Sequence, residues 1–493
     1  MQRNLAGLQL VLLSGFVMVA LALGFWQFFR QDEILARATN PRIAEEARRV
    51  VRGRILDRTG RALAENVAQA DGGSERTYPT PGLAHLVGYH SERFGNIGIE
   101  SRYDDYLSGA RSANPFERLW SSLLHKPTVG SDITLTVDAR IQEAAVRVLG
   151  GQPGAVVVLD PKTGAVLAMA SAPTFDPGTV DERWDALLAD PGRPLVDRAI
   201  QSTYTPGSVF KVVTAGAALD LGIVDPRAKF RCVDPIQIDG LTVDCRNHAQ
   251  LPVVDFREAF AWSCNRTFAL TGLELGLPGL SLADGLKPPF PWKDALGTSS
   301  QRLEQYAQRF WIGRSVPFEL PVEAGQVKGS TEWYPSLLAQ TAFGQGELAV
   351  TPMQMALVAA TVANGGSVPA PYVAVEARSP GGASTTLGSP GGTLGRAISA
   401  AADSTLNEMM VLSVDTAYAH PAAIAGVKVG GKTGTAEAGE TGTTPHSWFV
   451  GYAPADNPRV AIAVIMERKG SGTDFATPAA KVVLQRALEV YQR

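Results

Sequence analysis

"TPGSVFKVV" (205–213) is the stretch on which the reading of this chain turns. It places Ser208 and Lys211 three apart, on neighbouring positions of one helix face. Around them Val209, Phe210, Val212, Val213 and Ala215 are apolar nearly all round, which predicts a buried helix. A lysine there is costly unless it has a task, because burial and positive neighbours lower its pKa and leave a base. With Thr205 as cap, Ser208 falls in the first turn, where free N–H groups and the helix dipole favour a developing oxyanion. Ser-x-x-Lys also arises by chance about once in a chain this long. The bland alternative is a helix-start serine and a lysine reaching out to water.

Two further segments lie downstream. In "FAWSCNRTF" (260–268), Ser263 and Asn265 flank Cys264. Alternate residues of an extended or looped segment can present a hydroxyl and an amide together. In "GGKTGTAEAG" (430–439), Gly430, Gly431 and Gly434 leave the backbone open to close approach by a ligand. Lys432, Thr433 and Thr435 offer one cation and two hydroxyls, a receptor for a carboxylate. Each pattern has a decoy. Ser112-Ala113-Asn114 repeats Ser-x-Asn, and Lys162-Thr163-Gly164 repeats Lys-Thr-Gly. The second decoy sits in "VVVLDPKTGAVLAMAS" (156–171), where Asp160-Pro161 and Gly164 supply turn chemistry. Lys162 is therefore read as a solvated turn residue, and it precedes Ser208, which breaks the order.

The 493 residues leave room for two or three domains, and a net charge of −3 gives no basic field for nucleic acid. Between Arg3 and Arg30 no residue is charged, a run longer than the roughly 20 apolar residues that cross a bilayer as a helix. It closes on Phe25, Trp26, Phe28 and Phe29, an aromatic belt where a cleaved leader would have small residues, and reads as an uncleaved anchor. Arg3 and the amino terminus favour a cytoplasmic start, whereas Arg30, Arg37 and Arg42 argue the other way. Asn40-Pro41 predicts a helix over "RIAEEARRVV". Up to about residue 130 the chain reads as a small, partly extended module that includes the strand–turn–strand "GRILDRTGRALAEN" (53–66).

Beyond it, Asp138 leads into an amphipathic helix with Ile141, Ala144, Ala145 and Val148 at helical spacing. A hairpin surrounds Asp160, "SWFVGYAP" and "RVAIAVIMER" read as paired buried strands, and "AAKVVLQRALEVYQR" as a closing helix. Strands at both ends with helices between predict an α+β or three-layer domain. Residues 277–292 and 378–395 read as surface loops. Cys232 and Cys245 flank a hairpin with Asp239-Gly240 at its turn. A disulfide between them is geometrically reasonable, would imply an oxidising compartment and would leave Cys264 unpaired; two reduced, buried thiols are the alternative. Only His248 lies near the cysteines, so no metal site is expected.

Ser-x-x-Lys, then Ser-x-Asn roughly fifty residues on, then Lys-Thr-Gly far downstream is the active-site order of the penicillin-recognising serine enzymes. The chain resembles class B penicillin-binding proteins from end to end, and most closely their short-pedestal, PbpA-like subgroup. The resemblance also rests on "RGRILDRTGRALAEN" (52–66), on residues 78–109, and on 341–366 and 446–464 flanking the third motif. It implies an α+β fold: a penicillin-binding/serine β-lactamase-like transpeptidase domain with a central antiparallel sheet, helices on both sides and an all-helical subdomain. The implied organisation is a cytoplasmic start (1–4), a transmembrane helix (5–29), a membrane-proximal pedestal of dimerisation type (30–130) and the transpeptidase domain (131–493).

By that resemblance Ser208 attacks the D-Ala-D-Ala carbonyl of a peptidoglycan stem peptide, and Lys211 takes its proton. Ser263, bonded to Lys211 and Lys432, passes a proton to the leaving amine, while Asn265 holds the substrate amide. Lys432, Thr433 and Thr435, with Gly434 between them, bind the carboxylate, and the N–H groups of Ser208 and Thr435 form the oxyanion hole. No cofactor is implied. β-Lactams become inhibitors, and the implied partner is a multipass glycosyltransferase of the RodA/FtsW (SEDS) kind, with the catalytic domain outside the cytoplasmic membrane. A D,D-carboxypeptidase or β-lactamase, and a non-catalytic sensor or scaffold, remain alternatives. Outside the motifs, Glu437 reads as a solvated rim carboxylate, His446 as packing or surface and Trp448 as core.

Overall fold

The computed structural model describes residues 2–28, 50–68, 74–111, 128–232, 235–245, 252–279, 292–329, 332–437 and 442–491. The expected helix after Asn40-Pro41, most of the 277–292 loop, His248 and the Ser112–Asn114 decoy lie outside them.

Residues Gln2–Phe28 form one helix, α1. Its described large apolar side chains are all exposed, Val11, Leu13, Phe16 and Met18 among them. Side chains are described for Gly7, residues 11–23 and Phe25 only, and among the described residues no helix is long and apolar enough to cross a membrane.

The C-terminal half is built on a five-stranded antiparallel sheet. Its strands are β1 (Gly154–Leu159), β2 (Val166–Ala172), β3 (Gly430–Ala436), β4 (His446–Ala453) and β5 (Val460–Met466), in the spatial order β2-β1-β5-β4-β3. Every residue of β1 and β5 is buried, as continuous Val/Ile/Ala runs require when both faces are covered. Alternate side chains feed two cores. Val157, Val450 and Ala463 face one, and Val156, Phe449 and Val464 the other.

Over the second core lie α2 (Ala139–Leu149) and the closing helix Ala476–Tyr491. Asp138 caps α2 by accepting from the Arg140 N–H, and Gly150 ends it at φ 54°, so the sequence-predicted helix forms where expected. Over the first core lies Pro352–Ala363, buried at all positions and started by a Thr351/Gln354 capping box.

The helical subdomain surrounds the segment that bears Ser208. It comprises α3 (Lys211–Asp220), α4 (Phe256–Ala261) and α5 (Asn265–Glu274), joined by Trp292–Arg309, Pro335–Ala342 and Ala400–Thr416. The last of these packs against both α4 and β3, so the subdomain and the sheet close on each other at the third motif.

A second, six-stranded sheet joins the N-terminal module to the rest. Its order is 384–386, 374–378, 132–135, 55–56, 62–68, 74–77. Behind it Glu100, fully buried, accepts from Arg52 (2.9 Å) and Arg76 (2.7 Å). Asp57, nearly as buried, accepts from Thr59 and Arg61 within its turn and from the Ala139 N–H at the start of α2. Residues 378–395, expected as a loop, instead contain the exposed strand Ser384–Thr386 and part of Thr393–Arg396. Their threonines fit a pleated ladder, and Glu376 and Arg378 offer a free strand edge to pair with.

Candidate active site

The helix predicted from Thr205 begins later and tighter. Gly207–Phe210 is a 3-10 turn that runs into α3, and no side chain caps it; the Thr205 carbonyl instead accepts from Trp448 Nε1 at 3.1 Å. Gly207 holds φ 60°, and a Cβ on it would stand 2.8 Å from the Thr435 carbonyl oxygen. A Cβ on Gly434 would meet the Pro206 carbonyl at 2.9 Å. The glycines therefore serve backbone-to-backbone contact between the Ser208 turn and β3.

Lys211 is fully buried and its Nζ is the hub of the site. It lies 3.1 Å from Ser208 Oγ, 3.0 Å from Ser263 Oγ, 2.7 Å from the Ser263 carbonyl and 2.6 Å from Asn265 Oδ1. Two of these neighbours can only accept, so in the deprotonated amine they would take both N–H groups and leave its lone pair for a hydroxyl. Burial first and the nearby Lys432 second push the amine well below the ordinary lysine range. The Phe268 ring, 5.6 Å from Nζ, supplies part of that apolar wall.

Ser263 and Asn265 reach Lys211 together, but not from an extended segment. Ser263 stands at φ 62° in the turn between α4 and α5, and Asn265 is the first residue of α5. Lys432 is also fully buried, against the Phe260 ring at 5.7 Å, and burial lowers it to about 7. Its Nζ donates to the Thr433 carbonyl at 3.2 Å. The expected bond from Ser263 to Lys432 is not formed: Ser263 has turned its hydroxyl to Lys211.

Above Ser208 opens a cavity of 220 Å³, walled by Ser263 and Asn265 on one side and by Thr433 and Thr435 on the other. Tyr418, Ser471 and Thr473 complete it, and none was singled out in the sequence. Ser471 and Thr473 sit in "RKGSGTD", which looks like any polar turn after a strand. What brings it to the site is Gly472, whose N–H donates to Thr435 Oγ1 at 3.2 Å. A Cβ at Gly472 would lie 2.3 Å from the Gly434 carbonyl, so only glycine fits against β3 there.

Lys162 belongs to the β1–β2 turn, exposed, with Nζ on Asn457 Oδ1 at 2.9 Å. Lys162→Ala is expected to leave penicillin acylation within about twofold of the native rate, the scale of a surface change, as measured by time-resolved labelling. Trp448 is fully buried, His446 is half-buried and accepts from the Arg468 N–H, and Glu437 is exposed at the rim.

The tentative Cys232–Cys245 bridge is corrected: the disulfide joins Cys245 to Cys264, and Cys232 stays a buried thiol. The hairpin ladder runs only from Ile236↔Val243 to Ile238↔Leu241, and Cys232 instead follows Phe230–Arg231, which pairs with 253–254, and donates its N–H to the Pro252 carbonyl. Cys264 enters from below, at the cap of α5.

Residues 154–487 match the family model described as the penicillin binding protein transpeptidase domain, and residues 52–133 match the penicillin binding protein A dimerisation domain. Peptidoglycan D,D-transpeptidase PbpA of Mycolicibacterium smegmatis is 31% identical over 490 residues, 94% of each chain. Its namesake from Mycobacterium tuberculosis is 31% identical over 519, 99% of each. Among solved structures, a ceftriaxone acyl-enzyme complex of penicillin-binding protein A from M. tuberculosis superposes with a TM-score of 0.78 at 30% identity, covering 90% of this chain and 99% of that one. A D,D-transpeptidase domain from Eggerthella lenta gives 0.76 at 33%, covering 90% and 99%. With those matches spanning both sheets and all three motifs, the chain belongs to the penicillin-binding protein transpeptidase family.

Proposed function

We propose that the protein is a serine D,D-transpeptidase that crosslinks peptidoglycan stem peptides and is acylated by β-lactams at the same residue. The observation that carries this is Lys211: fully buried, pushed by that burial well below the ordinary lysine range, and 3.1 Å from the hydroxyl of Ser208. Ser208 Oγ attacks the carbonyl of the penultimate D-Ala as its proton passes to Lys211 Nζ. The oxyanion is received by the N–H groups of Ser208 and Thr435. Ser263, 3.0 Å from Nζ, relays the proton to the departing D-Ala nitrogen. Thr433, Thr435 and the Lys432 ammonium behind them hold the terminal carboxylate. An amine from a second stem peptide then displaces Ser208, which regains its proton.

We place the catalytic half outside the cytoplasmic membrane with α1 as its anchor. A 27-residue helix whose described large apolar side chains are exposed supports that placement. A RodA/FtsW-like glycosyltransferase is the partner that the resemblance suggests.

The test supplies the full-length chain with a D-Ala-D-Ala-ended stem peptide and an amine acceptor, and follows products by mass spectrometry. Release of one D-Ala with formation of the acceptor adduct is expected, and both vanish in Ser208→Ala. Release with water as the only acceptor would replace this reading with a carboxypeptidase.

A further inference from the structure

Three sulfurs meet directly beneath the catalytic turn. Cys232 Sγ lies 2.6 Å from Cys245 Sγ and 2.7 Å from Cys264 Sγ, and all three side chains are buried. Two of them share the disulfide, so the third is a thiol in contact with both ends of it. Cys264 is the central residue of Ser263-Cys264-Asn265, whose two neighbours hold Lys211.

We infer that Cys232, Cys245 and Cys264 form an exchangeable disulfide, in which the Cys232 sulfur attacks Cys245 and releases Cys264. The Cys232–Cys245 bond forms as Cys245–Cys264 breaks, the electron pair leaves on Cys264 Sγ, and no oxidant or reductant is consumed.

The surroundings select that direction. Thr267 Oγ1 lies 3.5 Å from Cys232 Sγ and donates to Cys264 Sγ at 3.1 Å, so one hydroxyl can accept the proton from the attacker and give its own to the leaving sulfur. Cys264 caps α5, where the Thr267 N–H also points at its sulfur (3.4 Å) and the free end of a ten-residue helix favours negative charge. On the attacking side burial pushes the Cys232 thiol up, while the Thr267 hydroxyl and the charge of the buried Arg266 oppose that shift. Cys232 Sγ sits nearly equidistant from the other two sulfurs, so the three are not in line. Exchange therefore needs rotation of the Cys232 side chain toward the far side of Cys245.

The two pairings differ in what they tie together. Cys245–Cys264 fastens the hairpin of Ile236–Ile238 and Leu241–Val243 to the turn bearing Ser263 and Asn265, across a 390 Å³ cavity that both line. Cys232–Cys245 fastens the hairpin to its own stem and frees the catalytic turn. Access to Lys211 then depends on which pair is joined.

The test uses the full-length chain without reductant, incubated for increasing times in mildly alkaline buffer, quenched with acid and N-ethylmaleimide, and mapped by peptide mass spectrometry. Both crosslinks are expected, with a ratio that changes with time, and Cys232→Ala or Cys232→Ser should leave only Cys245–Cys264. A single invariant pairing, with Cys232 fully alkylated in every sample, overturns the exchange. Labelling with fluorescent penicillin reads the consequence and rests on the transpeptidase reading: two acylation phases are expected for the native chain and one for either Cys232 variant. A single phase despite both crosslinks overturns the link to the site. No labelling at all would strike the transpeptidase reading and leave the mapping to decide the exchange by itself.

Discussion

Lys211→Ala is expected to slow acylation of Ser208 by penicillin about 10³-fold, the middle of the range for removing a positioned general base. The variant keeps Ser208, both threonines and Lys432, so reversible binding of the drug should survive while the covalent step fails. Lys211→Arg should not rescue, because a guanidinium stays charged and has no lone pair to offer. Time-resolved labelling separates the two steps. A loss smaller than about tenfold would mean that another group takes the serine proton. The same substitution carries an opposite consequence for folding. An amine buried at its own expense is removed, so Lys211→Met should raise the thermal midpoint while abolishing turnover.

Lys432→Ala is expected to cost about 10²-fold in acylation efficiency, the scale of losing one charge-assisted contact of about 3 kcal/mol. The loss should be specific to the carboxylate. A penicillin methyl ester, acylating slowly with the native chain, should do no worse with the variant, and equal losses for acid and ester would sink the carboxylate role.

With Lys432 lowered to about 7, its ammonium disappears as pH rises through about 7, so efficiency toward anionic penicillins should decline above that point. Stability runs the other way. Between about 7 and 10.5 the unfolded chain holds a proton that the folded chain has released, so the folded state gains as pH rises across that window and bears the full cost of the buried charge below about 7. Thermal melts and labelling across this range should therefore move in opposite directions.

Much of the site was legible because its residues violate local expectation: a lysine in an apolar helix, and glycines on both sides of a lysine in a strand. The order of three short patterns then specified the family, and with it the sheet and the helical subdomain. The parts that stayed hidden are set by tertiary contact. Thr205 looked like a cap, yet its carbonyl serves Trp448, 243 residues away. Ser263 and Asn265 looked like alternate residues of one segment, but a left-handed turn and a helix start bring them to one nitrogen. Cys232 and Cys245 bracket a hairpin in sequence, while the sulfur that joins Cys245 comes from a helix cap that no local pattern connects to it. Ser471 and Thr473 gave no signal, because their position follows from Gly472 resting on β3.

The six-stranded sheet has a mechanical consequence. Strand 55–56 pairs in parallel with 132–135, which in turn pairs with 374–378, so the N-terminal module is stitched to a strand more than three hundred residues later. Asp57 then ties the same hairpin to the start of α2, which packs on β2. A load applied to the N-terminal module, by a partner or by the membrane, cannot be absorbed by a hinge between two beads. It travels along hydrogen-bonded strands into α2, and the module acts as a lever whose short arm ends on β2, at the opposite edge of the catalytic sheet from β3.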